Sequence, residues 1–384
     1  MLAKLYRFHD GRVFLSEGDP EMDPASCNLV LCFADKQHLE TDYLHNALRG
    51  YFPAAEIVLC STSGEISGPA VTDGGVSIVA LRFDHTALQA QCVNISAYAD
   101  SFGAGRGLAD RCLRDGVPPK YLLVVSDGSF VNGTDLLNGI HAAPGWEQVL
   151  VTGGLAGDGL RFSSTLVGLN APAQQGNIVG IGFFGDKLAV GHGSKGGWDT
   201  FGLEKVVTRS DHNVLYELDG VNALSVYKRY LGPDASGLPG AALLFPLAVV
   251  LPDTGEAVVR TILSVDEEAG TMTFAGDIPV DSRARFMRAN FDRLINASHG
   301  AALNATLPNG ASGPQYALLI SCVGRKVILR DRIEEEVDAV IDQFGGQCVM
   351  SGFYSYGELS PNVPGGKCQL HNQTMTITTF YEME

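Results

Sequence analysis

Val149–Gly159 reads VLVTGGLAGDG, an apolar run that passes directly into a turn with four glycines and an aspartate. An apolar run bounded by glycines is a buried strand, and the glycines permit a tight reversal with close backbone approach. The same arrangement stands at Ile57–Glu65 (IVLCSTSGE) and at Val349–Glu358 (VMSGFYSYGE). Upstream of each lies another apolar run: Asn28–Phe33 (NLVLCF), Tyr121–Gly128 (YLLVVSDG) and Tyr316–Arg325 (YALLISCVGR). Between the paired runs a helical stripe recurs. Its apolar positions are Leu39, Tyr43, Leu44, Ala47, Leu48 and Tyr51 in the first copy, and Leu136, Leu137 and Ile140 in the second. In the third they are Ile333, Val337, Val340, Ile341 and Phe344. Each copy closes on a further strand: Gly74–Phe83, Gly176–Gly185 and Asn372–Tyr381. The order strand, helix, strand, glycine turn, strand therefore occurs three times.

One helix per unit covers one sheet face, so units must stack or share their sheets. The expected fold class is α/β, with two domains built from repeated strand-helix-strand-strand units, sheets stacked or shared and helices on the outer faces. The expected layout is an amino-terminal extension over 1–24, one domain over 25–210 and a second over 211–384. The joint is placed at the polar cluster Thr208–Asn213 (TRSDHN). The strand-rich block Ala241–Pro279 reads as a degenerate fourth unit, with Ser282–Ile295 as its helix. The plain alternative is that repeated strand-helix-strand is what any α/β protein shows.

Composition bounds the function. Across 384 residues, 45% are hydrophobic and 18% charged, enough apolar surface to build full cores and to exclude global disorder. The formal charge is −16 and no Lys/Arg tract offsets it, so direct binding of nucleic acid is not expected. The start of the chain lacks a signal-peptide apolar stretch. Ala241–Leu251 (AALLFPLAVVL) is too short to span a bilayer and reads as a buried strand. The eight cysteines form no C-x-x-C pair, which excludes zinc-ribbon, thioredoxin-like and covalent c-type haem motifs. A cytoplasmic protein without membrane attachment is expected.

Enzyme motifs are absent from the sequence. Gly180-x-Gly182-x-x-Gly185 matches a dinucleotide fingerprint by letter, but it sits inside a strand and no helix start follows to receive a pyrophosphate. Gly103, Gly105 and Gly107 precede a helical stretch with the wrong spacing. No phosphate-binding lysine loop, nucleophile elbow or H-E-x-x-H occurs. The expectation is not an enzyme but a binding protein.

Two glycine-rich segments can form pockets from main chain and rings. Gly153–Gly159, with Gly154 and Asp158, exposes amide groups suited to an anion or a flat ligand. Gly352–Glu358 sets Phe353, Tyr354 and Tyr356 between glycines, a pattern that lines a cleft or caps a core. Among nine histidines, His192 stands out. Alternation in Lys187–His192 (KLAVGH) puts it on the face of Leu188 and Val190, and Trp198 follows closely. A neutral imidazole there is a candidate metal or haem ligand; a buried, hydrogen-bonded histidine is the plain alternative. His371 shares parity with Met375 and Ile377 and is the rival.

Taken together, CSTSGE, GGLAGDG with Phe162 and Thr165 after it, LDG at Leu218–Gly220 followed by Tyr227, GFYSYGE and LHNQTMT resemble the FIST (F-box and intracellular signal transduction) sensory family. The resemblance runs from about residue 25 to about residue 382, with an amino-terminal FIST domain followed by a carboxy-terminal one. Within the family, GHGSKGGWDTFG (Gly191–Gly202) and LLFPLAV (Leu243–Val249) resemble stand-alone bacterial members that bind haem and sense nitric oxide. That resemblance implies haem b as cofactor, His192 as the iron ligand with His371 as rival, and Trp198, Gly154, Asp158, Phe353 and Tyr356 around the ligand. It also implies that nitric oxide on the iron weakens the histidine opposite, giving the protein two states for a separate histidine kinase or cyclic-di-GMP enzyme to read. A homodimer is left open. The alternative is a haem-free FIST module that binds a small metabolite such as an amino acid, anchored by Asp158, Tyr356 and Glu358. A scaffold without a small ligand is the third reading.

Overall fold

A computed structural model describes residues 1–15, 22–238, 240–253, 255–307, 313–346, 348–363 and 365–383. The three sequence copies become three six-stranded sheets. Each is built round one parallel pair: Leu29–Ala34 beside Glu56–Ser61, Tyr121–Ser126 beside Leu150–Leu155, and Tyr316–Cys322 beside Val349–Ser355. A helix crosses between the strands of each pair, as parallel connections require. These are α1 (Tyr43–Tyr51) in the first unit and α3 (Gly133–His141) in the second. In the third, α6 (Val323–Leu329) and α7 (Ile333–Phe344) take the place. Helix α2 (Ser101–Arg111) adds to the second unit. The α/β class, the repeated unit and the shared sheets agree with the sequence reading.

The inner strands read as unbroken apolar runs because both faces are covered. In the first unit Leu29, Leu31 and Phe33 face a core shared by all three sheets, while Val30, Cys32 and Ala34 pack under α1. Tyr121, Leu123 and Val125 repeat the inward set in the second unit, and Tyr316, Leu318 and Ile320 in the third. Rings meet at the centre: Phe33 stacks on Phe353 with centroids 4.8 Å apart.

The units are tied by strand exchange. After each glycine turn the chain leaves its own sheet and completes a neighbour's. Glu65–Ser67 of the first unit pairs with Val349–Ser355 of the third. Gly357–Pro361 of the third pairs with Leu150–Leu155 of the second. Val167–Leu169 of the second pairs with Glu56–Ser61 of the first, which closes the circle.

Four local expectations are corrected. Residues 1–24 are not a simple extension: Leu2–His9 and Arg12–Leu15 are strands of the first sheet, and residues 16–21 lie outside the described part. The block after Trp198 is not a fourth unit. Its pairings are all antiparallel, from Asp199–Asp211 through Arg283–Arg288, with one helix, α4 (Ala223–Leu231), and its own core. Ser282–Ile295 accordingly divides into the strand Arg283–Arg288 and the start of α5 (Phe291–Asn304), which covers the third sheet instead. Thr208–Asn213 forms the end of one strand and the turn of a hairpin within this layer. Ala241–Leu251 is a strand only over Leu247–Val250, after Pro246 breaks it.

Candidate ligand-binding site

The three glycine turns place an acid at the same point of each unit, and each acid is gripped locally. Glu65 accepts from Thr62 Oγ1 (2.6 Å) and the Gly75 amide (2.9 Å). Glu358 accepts from Ser355 Oγ (2.7 Å) and Thr374 Oγ1 (2.8 Å). Asp158 accepts from Ser163 Oγ (2.7 Å), the Ser164 amide (3.1 Å) and the Tyr356 hydroxyl. Burial pushes Glu358 up to about 7 even against its hydrogen bonds. Asp158 goes the other way: burial raises it, but the bonds from Tyr356 and Ser163 prevail and hold it below the usual carboxylate range.

A hollow of about 430 Å³ opens beside Asp158, between the second unit and the antiparallel layer. Phe162 stacks on Tyr356 there, with centroids 4.8 Å apart and planes 18° apart. Phe130, Phe162 and Leu263, exposed at 56%, 45% and 44%, line it together. Large apolar side chains left in water at one concave spot make this hollow a candidate binding surface. Of the residues expected around a ligand, Asp158 and Tyr356 converge here. Gly154 and Phe353 do not. Phe353 is fully buried against Phe33, and a Cβ on Gly154 would lie 2.8 Å from Ile320 Cγ2. Both belong to the central packing.

His192 lines a second hollow, of about 390 Å³, whose walls are mixed: Val149, Leu150 and Val190 beside Glu147, Gln148 and Asn304. Its Nδ1 is buried and has no hydrogen-bond partner, and burial lowers its pKa, so the ring is neutral at pH 7. The glycines around it have a packing role on the opposite face: a Cβ on Gly193 would stand 2.1 Å from the Ala301 carbonyl of α5, and one on Gly191 2.5 Å from that of Ala305. The GHG motif thus lets a helix lie directly on the strand while the imidazole points inward. Trp198 is not part of this hollow. Its indole donates to the Gln373 carbonyl at 3.0 Å and packs with Leu294, Ile328 and Leu329. His371 is buried with Nε2 2.8 Å from the Ser360 carbonyl, and burial lowers it to about 4. It fits the plain alternative, a structural histidine. Among the described residues, no three His, Cys, Asp or Glu side chains gather into a metal cage. No helix among them is long and apolar enough to cross a membrane.

The hollows lie beside strands that one unit lends to another. The comparisons give the family: the chain belongs to the FIST family, matching the FIST N domain over residues 28–221 and the FIST C domain over 223–361. FIST domains are sensory domains of signal transduction. The two matches interlock in space, because Leu188–Lys195 of the first is an edge strand of the sheet centred on Tyr316–Cys322 in the second. No curated protein matches the sequence. Among solved structures, the crystal structure of a cyanuric acid hydrolase from A. caulinodans is similar over 100% of this chain and 99% of that one, at 9% identity and a TM-score of 0.38. A likeness that weak says nothing about activity.

Proposed function

We propose that the protein is a haem-based gas sensor whose iron ligand is His192, with nitric oxide as the gas and a separate histidine kinase or cyclic-di-GMP enzyme as the reader. One observation supports this reading above others: the inward imidazole carries a buried ring nitrogen without a partner, beside a hollow whose walls mix Val149, Leu150, Val190 and Leu307 with Glu147, Gln148, Asn304 and Thr306. A buried polar atom left unpaired is costly, and a neutral imidazole is the form that binds a metal. Bound haem would supply an iron position for a diatomic gas. The chain's own contribution is to hold the ring on a strand that lies against α5 at Gly191 and Gly193, so any displacement of the strand is felt by α5. Helix α5 follows directly on the antiparallel layer, which gives such a shift a route to the surface.

Expression with a haem precursor tests the reading. A red protein with a Soret band that shifts under nitric oxide is expected, and His192→Ala should lose the band. A red His192→Ala protein with an unaltered spectrum removes His192 as ligand; a colourless wild-type protein that takes up no haem removes the cofactor.

A second reading is favoured by the exposed rings at the first hollow: a haem-free module that binds a small metabolite between Phe130, Phe162 and Tyr356, with Asp158 behind them. A colourless protein that melts higher in the presence of amino acids, and no longer does so as Tyr356→Ala, is its signature.

A further inference from the structure

A third hollow, of about 580 Å³, lies where α3 and the strand Cys368–His371 meet the antiparallel layer. Arg260 forms part of its wall and is 2% exposed. Its Nε donates to the Asp277 carbonyl at 2.9 Å and its Nη1 to the Leu370 carbonyl at 2.9 Å. Among the described residues Arg260 makes no ion pair, and its Nη2 donates no hydrogen bond. A buried guanidinium with only carbonyl partners and no carboxylate in contact lacks a paired counter-charge. Asp277 is the acid nearest in effect, but its Oδ1 accepts from Asn132 at 3.2 Å. Other unsatisfied groups face the same space. Thr134 Oγ1 is buried without a partner, and neither ring nitrogen of His141 makes a hydrogen bond of good geometry, although the backbone of Trp146 and Cys368 lies beside the ring.

We propose that this hollow is a binding site for a small organic monocarboxylate, whose carboxylate meets Arg260 and whose apolar body lies against Leu137 and Leu370. The fork of a guanidinium matches a carboxylate, and the pair gains strength where water is excluded. The acids set the charge of the ligand. Asp253, Glu256 and Asp277 also border the hollow, so a dianion such as phosphate meets more repulsion than a single carboxylate does. The place is suited to signalling. Arg260 already bridges the antiparallel layer to the strand that the third unit lends to the second, so a ligand on its free edge would bear on how those parts are held. The site is distinct from the His192 hollow and has its own lining.

Isothermal titration of the full chain with acetate, benzoate and inorganic phosphate tests the site. Benzoate should bind more tightly than acetate, and phosphate more weakly than either. Arg260→Met should weaken benzoate by about tenfold or more, as expected for loss of a charge-assisted pair. Thr134→Leu fills the hollow from α3 while leaving every Arg260 contact in place, and it should weaken benzoate similarly. It covers the case in which Arg260→Met does not fold. No heat of binding at millimolar carboxylate, wild-type affinity in Thr134→Leu, or tighter binding of phosphate than of benzoate would each overturn the proposal.

Discussion

The Tyr356 hydroxyl donates to the Asp158 carboxylate across 198 positions of sequence. Tyr356 belongs to the turn of the third unit and Asp158 to that of the second, so this hydrogen bond adds a side-chain link to the strand pairing that already joins them, at the wall of the aromatic hollow. Tyr356→Phe retains the stack on Phe162 and removes the hydroxyl, which also accepts from the Phe162 amide at 3.2 Å. The buried carboxylate then loses one of its partners, a cost of about 1–2 kcal/mol. Because Asp158 is held below its ordinary pKa, that stabilisation is present above pH ~4 and is lost as pH falls through the folded-state value. Urea unfolding should therefore separate wild type and variant at pH 7 and bring them together at strongly acid pH. Coincident curves at pH 7 would show that the bond contributes nothing.

Glu358 and His371 lie opposite each other on neighbouring strands and titrate with opposite consequences. Glu358 is raised by burial to about 7, so its folded site favours the protonated acid. Its contribution is complete below pH ~4 and is lost as pH rises toward 7. His371 is lowered by burial to about 4, so its contribution is complete above pH ~6.5 and is lost as pH falls toward 4. Glu358→Gln should flatten the decline in stability between about pH 5 and pH 7.5 relative to wild type. His371→Gln should flatten the decline below about pH 6. Unfolding free energies measured across this range read both slopes; a variant with the wild-type slope refutes the corresponding assignment.

Gly193→Ala tests the contact between strand and helix behind His192. The added methyl would stand 2.1 Å from a backbone oxygen of α5, which has no flexible side chain to yield. Overpacking of this kind costs about 1–3 kcal/mol. A lowered thermal midpoint is expected. An unchanged midpoint would mean that α5 moves away freely.

Arg325 and Glu336 form an ion pair at 2.8 Å with both side chains fully buried. Glu336 also accepts from Tyr354 Oη at 2.8 Å and Ser321 Oγ at 3.0 Å, and Arg325 donates to the Leu294 carbonyl at 2.8 Å. The pair joins α6 and α7 to α5. Glu336→Gln leaves the guanidinium without its counter-charge and should cost about 3–5 kcal/mol, read by urea unfolding. A loss near zero would place water or another anion beside Arg325.

The candidate sites were legible to different degrees. Asp158 and Tyr356 stand in turns whose glycines and rings announce them, and the structure brings the two together. His192 was legible through alternation, since an inward position on a strand follows from parity. Gly154 and Phe353 share those turns but point into the core, because a strand sends consecutive side chains to opposite faces. Arg260 gave no local signal. A lone arginine in an apolar strand reads as an exposed residue until the burial of its surroundings is known.

The order of amino acids alone establishes the α/β class, the triple recurrence of strand, helix and glycine turn, and the family. The first two follow from periodicity within a few dozen residues, and the family from the resemblance of motifs such as GGLAGDG and GFYSYGE. Which unit lends its strands to which neighbour, the separate antiparallel layer after Trp198, and the meeting of Asp158 with Tyr356 were decided only in three dimensions. The exchanged strands and the Asp158–Tyr356 contact join residues one to three hundred positions apart, through backbone groups and packed faces that every strand offers alike. Sequence marks such a strand as able to pair, and the folded chain selects its partner.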